Sequence, residues 1–246
     1  MKRIYIFDID GTLTPPRLPM AEEMVGLFTE FCKSHRVYLA TGNNIEKVEE
    51  QVPIAIRQLV EGTFTCSGNK FFQDEKIIYE NEFDPPRELI RLLEDWLKYS
   101  SYPTKTGRHL EVRHGMLNFS TVGRNCTQKQ REDYYCWDNE TGERKILREK
   151  ILYMFPVLDC VIGGQISVDI YPRGMDKAQA YSWIKEKNPD LGIVFCGDRL
   201  QPGGNDHPFF RAMSQNHTDC KPLDIVVPVS DWRDTKRFLL NCEEDS

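Results

Sequence analysis

No apolar stretch in the 246 residues approaches the length needed to cross a bilayer. No secretory leader is expected either, because the charged and apolar opening runs straight into a polar motif, and the expected location is cytoplasmic. The eight cysteines (32, 66, 126, 136, 160, 196, 220 and 242) form no CxxC pair and no Cys/His grouping at zinc spacing. Reduced thiols are therefore expected, with Cys66 and Cys196 as small buried residues of apolar runs. An excess of basic charge is absent, since the net charge is −6 and the pI about 5.5, which argues against a nucleic-acid partner. Internal repeats, low-complexity segments and long blocks of like charge are also missing. The acidic end Glu243-Glu244-Asp245 reads as a solvated terminus.

What is there begins at residue 4. Ile4-Tyr5-Ile6-Phe7 is a short apolar strand followed by Asp8-Ile9-Asp10-Gly11-Thr12. In a strand, side chains at i and i+2 point the same way, so Asp8 and Asp10 can act on one substrate. Ligands of open α/β sheets sit at this carboxyl end. A carboxylate is a fair nucleophile toward phosphorus and forms an aspartyl-phosphate. Attack by an anion on a phosphate ester needs a hard cation such as Mg²⁺, and the second carboxylate is placed to hand a proton to the leaving alkoxide and take one back from the next nucleophile.

Continuous apolar strands at 4–8, 37–41, 63–66, 193–196 and 224–227 alternate with helical stretches at about 20–34, 45–59, 178–187 and 231–241. That pattern predicts a parallel sheet covered on both faces. The middle differs: an amphipathic helix (Leu89, Leu92, Leu93, Trp96, Leu97), alternating strands in HLEVR and MLNFS, a helix near 143–155 and a strand in QISVDI. Helix and antiparallel strand set into an alternating chain predict a Rossmann-like α/β core, residues 1–82 and 177–246, with an inserted α+β cap, residues 83–176. Pro85-Pro86 and Pro172-Arg173-Gly174 are the expected hinges.

FDIDGTLT resembles the first motif of the haloacid dehalogenase superfamily of phosphotransferases. Three further segments resemble the remaining motifs in order: Thr41-Gly42-Asn43 after a strand, Lys177 in GMDKAQA, and Asp198 with GGNDH at 203–207. The cap is more particular. RHLEVRHGMLNFSTVGRNCTQKQRE (108–132), GGQISVDIYPRGMDK (163–177) and GDRLQPGGNDHPFF (197–210) resemble the eukaryotic-type phosphomannomutases over nearly the whole chain.

That resemblance implies Asp8 as nucleophile, Asp10 as general acid/base, Thr41 and Lys177 at the phosphoryl group, and Asp8, Asp10 and Asp198 around Mg²⁺. It further implies Arg17, Arg113, Arg124 and Arg131 on substrate phosphate, and Ser167 and Asp169 on sugar hydroxyls. The activity implied is interconversion of mannose 6-phosphate and mannose 1-phosphate through an aspartyl-phosphate, with a hexose 1,6-bisphosphate as intermediate and activator. A homodimer formed through the cap is also implied, to which an exposed Trp96 or Tyr134-Tyr135 patch would contribute.

The arginines have a physical reason of their own. A bisphosphate reacting at one end must be held at the other, and guanidinium groups grip phosphate through paired donors while staying charged. A hexose-phosphate phosphatase, with water as acceptor, is the alternative within the same chemistry, and a non-catalytic sugar-phosphate binding module the alternative outside it. Three departures from the family pattern stand out: Thr41-Gly42-Asn43-Asn44 in place of GGSD, Ser67-Gly68-Asn69 near an expected ENG, and Arg211-Ala212 where an acidic residue is usual. The last predicts that a second cation site is weak or absent.

Overall fold

A computed structural model of the chain describes residues 3–215 and 223–244. Cys220 and Asp245 lie outside the described residues. The larger of two sheets has the order β11-β10-β1-β2-β3-β4-β5. Its parallel part joins β1 (Arg3–Phe7), β2 (Arg36–Ala40), β3 (Gly62–Thr65), β10 (Gly192–Gly197) and β11 (Ile225–Pro228). These are the expected strands, within two residues at each end.

Alternation on the strands splits the core into two layers. Phe7, Val37 and Leu39 pack with Met24, Phe28 and Phe31 of α1 (Glu22–Ser34) and Leu239 of α9 (Trp232–Glu244). Ile4, Ile6, Tyr38, Ile193 and Phe195 pack on the other face against Tyr181 and Ile184 of α7 (Ala178–Lys187) and Phe209 of α8 (His207–Gln215).

Two expectations need correction. The sheet is not wholly parallel: β4 (Lys70–Gln73) and β5 (Lys76–Glu80) extend it as an antiparallel hairpin. Its turn places Asp74 and Glu75 at φ 49° and 61°, a left-handed conformation usually signalled by Asn or Gly. The helix expected over 45–59 is two pieces, α2 (Ile45–Gln51) and α3 (Ile54–Arg57), because Pro53 has no N–H to donate and restricts Val52 before it.

The smaller sheet runs β6-β7-β9-β8, all antiparallel, from β6 (Leu110–Arg113), β7 (Met116–Phe119), β8 (Leu158–Gly163) and β9 (Ser167–Pro172). One face carries Leu117, Phe119, Val168 and Ile170 against α4 (Arg87–Tyr99) and α6 (Glu143–Met154). The intervening residues Asn118, Ser167 and Asp169 point to the opposite face, and Asn118 stands directly across from Asp169.

Helix α5 (Gln128–Thr141) opens with a capping box between Thr127 and Gln130 and buries Arg131 and Tyr134. Tyr134 is fully buried against Tyr102 and Val122. It is therefore no part of the expected exposed patch.

The two sheets meet where Cys66 packs on Met116, Val161 and Tyr171. Asn69 Nδ2 donates to Met175 O at 2.8 Å beside that contact. Cys32, Cys66, Cys126, Cys136, Cys160 and Cys196 are free thiols. Among the described residues no helix is long and apolar enough to cross a membrane.

Candidate active site

Strand β1 delivers Asp8 to the carboxyl edge of the sheet, where its N–H still pairs with Cys196 O at 3.0 Å. The chain then turns tightly, with Thr12, Leu13 and Thr14 all donating to Ile9 O. Gly11 sits at φ +84°, and a Cβ there would stand 2.6 Å from Asp198 Oδ2. Only glycine admits both the backbone angle and the close approach. The Asp198 carboxylate is thereby pressed against the backbone that follows Asp10.

Lys177 is fully buried at the start of α7 and donates to Asp8 Oδ1 at 2.6 Å and Asp206 Oδ1 at 2.5 Å. Oxygens of Asp8, Asp198 and Asp206 all lie within 4.8 Å of one another. So much buried negative charge raises proton affinity. Burial pushes the Asp8 carboxyl well above its ordinary range, with Lys177 opposing and Asp206 and Asp198 adding to the rise. Burial and then Asp206 lift Asp198 to about 7. An all-oxygen group of this kind suits a hard divalent cation.

Asp10 is handled differently. Its Oδ1 accepts from Arg17 N at 2.6 Å and Gln51 Nε2 at 2.7 Å, and its Oδ2 from Asn43 Nδ2 at 2.8 Å. The side chain is thus oriented by neutral donors and stands outside the three-carboxylate group. Thr41, buried at the end of β2, accepts from Asn43 N at 3.1 Å.

One cavity joins these groups to the second sheet. It is lined by Asp8, Asp10, Arg17, Thr41, Arg113, Arg124, Arg131, Ser167, Asp169 and Asp198 among others. Every site residue expected from the sequence except Lys177 lines it, and Lys177 lies directly beneath Asp8.

The far wall is basic. Arg113 donates to Gly42 O at 2.9 Å, a bond from the small sheet to the loop beside Thr41, and pairs with Glu111. Arg124 reaches the same Glu111 at 3.4 Å. Burial, followed by the neighbouring charges of Arg113 and Arg17, pushes the Arg124 guanidinium down to about 9, with Glu111 and Asp169 opposing. Burial also raises Asp169, against the pull of Arg113 and of Asn118 Nδ2, which donates to it at 2.6 Å.

Sequence reasoning takes Asp206 and Asn43 only as parts of the GGNDH and Thr41-Gly42-Asn43 motifs, with no role of their own, and does not single out Gln51 or Arg199. Asp206 carries the aspartate of GGNDH and holds both Lys177 and Arg199 N. Arg199 lines the cavity, with Nε 3.3 Å from Asp198 Oδ2. Gln51 lies 41 positions from Asp10 on a separate helix, and nothing in the sequence announces that contact.

The fold recurs in solved structures. The C-terminal domain of trehalose-6-phosphate phosphatase from C. albicans superposes with TM-score 0.67 at 15% identity, over 97% of this chain and 90% of that one. A haloacid dehalogenase-like hydrolase from Bacteroides thetaiotaomicron gives 0.59 at 13% identity, over 98% and 100%. At such identities the likeness shows the fold alone. Sequence comparison goes further: phosphomannomutase of Triticum aestivum is 32% identical over 232 residues, 90% of this chain and 91% of the relative. With the eukaryotic phosphomannomutase family model matching residues 24–231 as well, the chain belongs to the eukaryotic phosphomannomutase family.

Proposed function

We propose that the chain is a phosphomannomutase that interconverts mannose 6-phosphate and mannose 1-phosphate. The observation that carries this reading is a single cavity lined both by the buried carboxylates that Lys177 pairs with and by four arginines, Arg17, Arg113, Arg124 and Arg131. A phosphatase needs only the carboxylates and Lys177. A mutase needs the arginines as well, because the bisphosphate must stay bound while its phosphates change places.

Lys177 occupies Asp8 Oδ1, which leaves the second oxygen of Asp8 to attack phosphorus. The phosphoryl group passes from a hexose 1,6-bisphosphate to Asp8, the P–O bond to the sugar breaks, and Asp10 gives its proton to the departing oxygen. In the return step Asp10 takes the proton from the sugar hydroxyl that attacks the aspartyl-phosphate. Lys177 and Thr41 hold the phosphoryl oxygens, and Ser167 and Asp169 the sugar. Asp8, Asp198 and the backbone of Asp10 would hold Mg²⁺, which would supply positive charge for the incoming phosphoryl group.

In this reading residues 1–82 and 177–246 act as core and 83–176 as cap, in a cytoplasmic homodimer joined through the cap. Exposed Tyr99 and Ile146 on α4 and α6 support the last point. Phosphorus NMR of mannose 1-phosphate with Mg²⁺ and catalytic hexose bisphosphate tests the reading. Appearance of the 6-phosphate is expected. Inorganic phosphate alone would make the protein a phosphatase, and binding without either product a sugar-phosphate binding module.

A further inference from the structure

Buried polar atoms in folded proteins are nearly always hydrogen-bonded, so those without a partner call for an explanation. Asn118 Oδ1, Gln165 Oε1 and Asn205 Oδ1 are buried and have no partner among the described residues. All three line the same cavity. They arrive there from separate elements: Asn118 from β7, Gln165 from the turn between β8 and β9, and Asn205 from the loop after β10. The orientation of Asn118 is set by its neighbour, since Nδ2 donates to Asp169 and the oxygen must point elsewhere.

We infer that these three amides read the ring hydroxyls of the ligand and make the cavity selective for a polyhydroxylated phosphate over a bare or short-chain one. The inference rests on the hexose-phosphate reading given above. A carbonyl oxygen wants a donor, and a hydroxyl is one. A phosphate dianion offers none and is repelled, so the same oxygens direct phosphate toward the charged groups of the cavity. Neutral amides also suit a ligand that binds in two opposite orientations. Each hydroxyl can donate from whichever position it occupies, with no charge to be matched. A site built to hydrogen-bond hydroxyls discriminates against ligands that lack them, because its buried acceptors are then left bare.

The test is calorimetry on the full chain in Mg²⁺ with two probes, a non-hydrolysable phosphonate analogue of mannose 1-phosphate and inorganic phosphate. Gln165→Ala and Asn205→Ala are the variants of choice, since Asn118 also holds Asp169. Gln165→Leu and Asn205→Leu keep the shape if the alanine variants fold poorly. Each variant should bind the phosphonate roughly 3- to 10-fold more weakly, as for one neutral hydrogen bond, with unchanged affinity for inorganic phosphate. Unchanged binding of both probes, equal weakening of both, or a wild-type protein that prefers inorganic phosphate would overturn the inference. Failure of the mutase reading shows separately in the NMR products, and a protein that hydrolyses instead of isomerising leaves the calorimetric result standing.

Discussion

Lys177→Met removes a cation that the structure cannot replace. Its ammonium is fully buried and bonds Asp8 and Asp206 at 2.6 and 2.5 Å. Without it, three carboxylates remain within 4.8 Å of one another, two of them almost wholly buried. Breaking a buried ion pair by deleting one partner costs about 3–5 kcal/mol. Total stability of natural domains is about 5–15 kcal/mol, so the loss is a large share. At roughly 2–4 °C per kcal/mol for a chain of this size, the melting temperature in Mg²⁺-free buffer at pH 8 should fall by roughly 6–20 °C.

The deficit also has a pH signature. Burial already raises Asp8 well above its unfolded value, and removing Lys177 raises it further. A carboxyl whose folded pKa lies above its unfolded pKa favours folding in acid, and that advantage disappears as pH climbs through the folded value. The gap between variant and wild type should therefore narrow from pH 8 to pH 5. Thermal melts by circular dichroism at both pH values decide it. A shift under 2 °C at pH 8, or a gap that widens in acid, would refute the reasoning.

Asp8→Asn should fold and bind sugar phosphate but form no acid-labile phosphoenzyme, and normal turnover by this variant would sink the nucleophile assignment. Asp10→Ala should lose turnover of sugar phosphates while activated aryl phosphates suffer less, because their leaving groups need little protonation; steady-state rates on both substrates are the check. Gly11→Ala should abolish activity and weaken Mg²⁺ binding by titration calorimetry, since its methyl would stand 2.6 Å from Asp198 Oδ2. Arg124→Ala should raise the ratio of hydrolysis to isomerisation by weakening the grip on bisphosphate by about 1.5–3 kcal/mol, as for hydrogen bonds to charged groups. Loss of both products in equal proportion would leave Arg124 without that anchoring role.

The core was legible because its signals are local. Ile4 to Phe7 announce a strand, the carboxylates follow within three residues, and the turn that aims them is written in Gly11. The break between α2 and α3 was equally open to reading in Pro53. Less legible were features set by tertiary contact. The turn at Asp74-Glu75 adopts left-handed backbone without the residues that favour it, so the hairpin behind it gave no sign. The strand β8 and the helices α5 and α8 lie outside the expected elements, although Thr127 and Gln130 carry a capping box. Asp10 illustrates the limit at the site itself. Its role can be read from its place two residues after Asp8, but the donors that orient it come from Arg17, Asn43 and Gln51, and only the folded chain assembles them.

The proposed activity places opposing demands on the basic wall. The distal phosphate must be held while the near one reacts, and then released so that the bisphosphate can turn. Four guanidinium groups, each worth about 1.5–3 kcal/mol toward a phosphate, would meet the first demand and defeat the second. Glu111 supplies the counterweight. It pairs with Arg113 and lies 3.4 Å from Arg124. Burial pushes its carboxyl up, yet Arg113 and Arg124 more than offset this and hold it below the usual range, so it stays ionised. When the phosphate lets go, these two arginines fall back on a carboxylate instead of facing an empty cavity, and the free-energy difference between bound and released ends shrinks accordingly. Arg113 adds a mechanical link, because the same side chain bonds Gly42 O next to Thr41. Under the proposed activity, the arginine that would grip the distal phosphate is thus also the one that ties the small sheet to the loop beside Thr41.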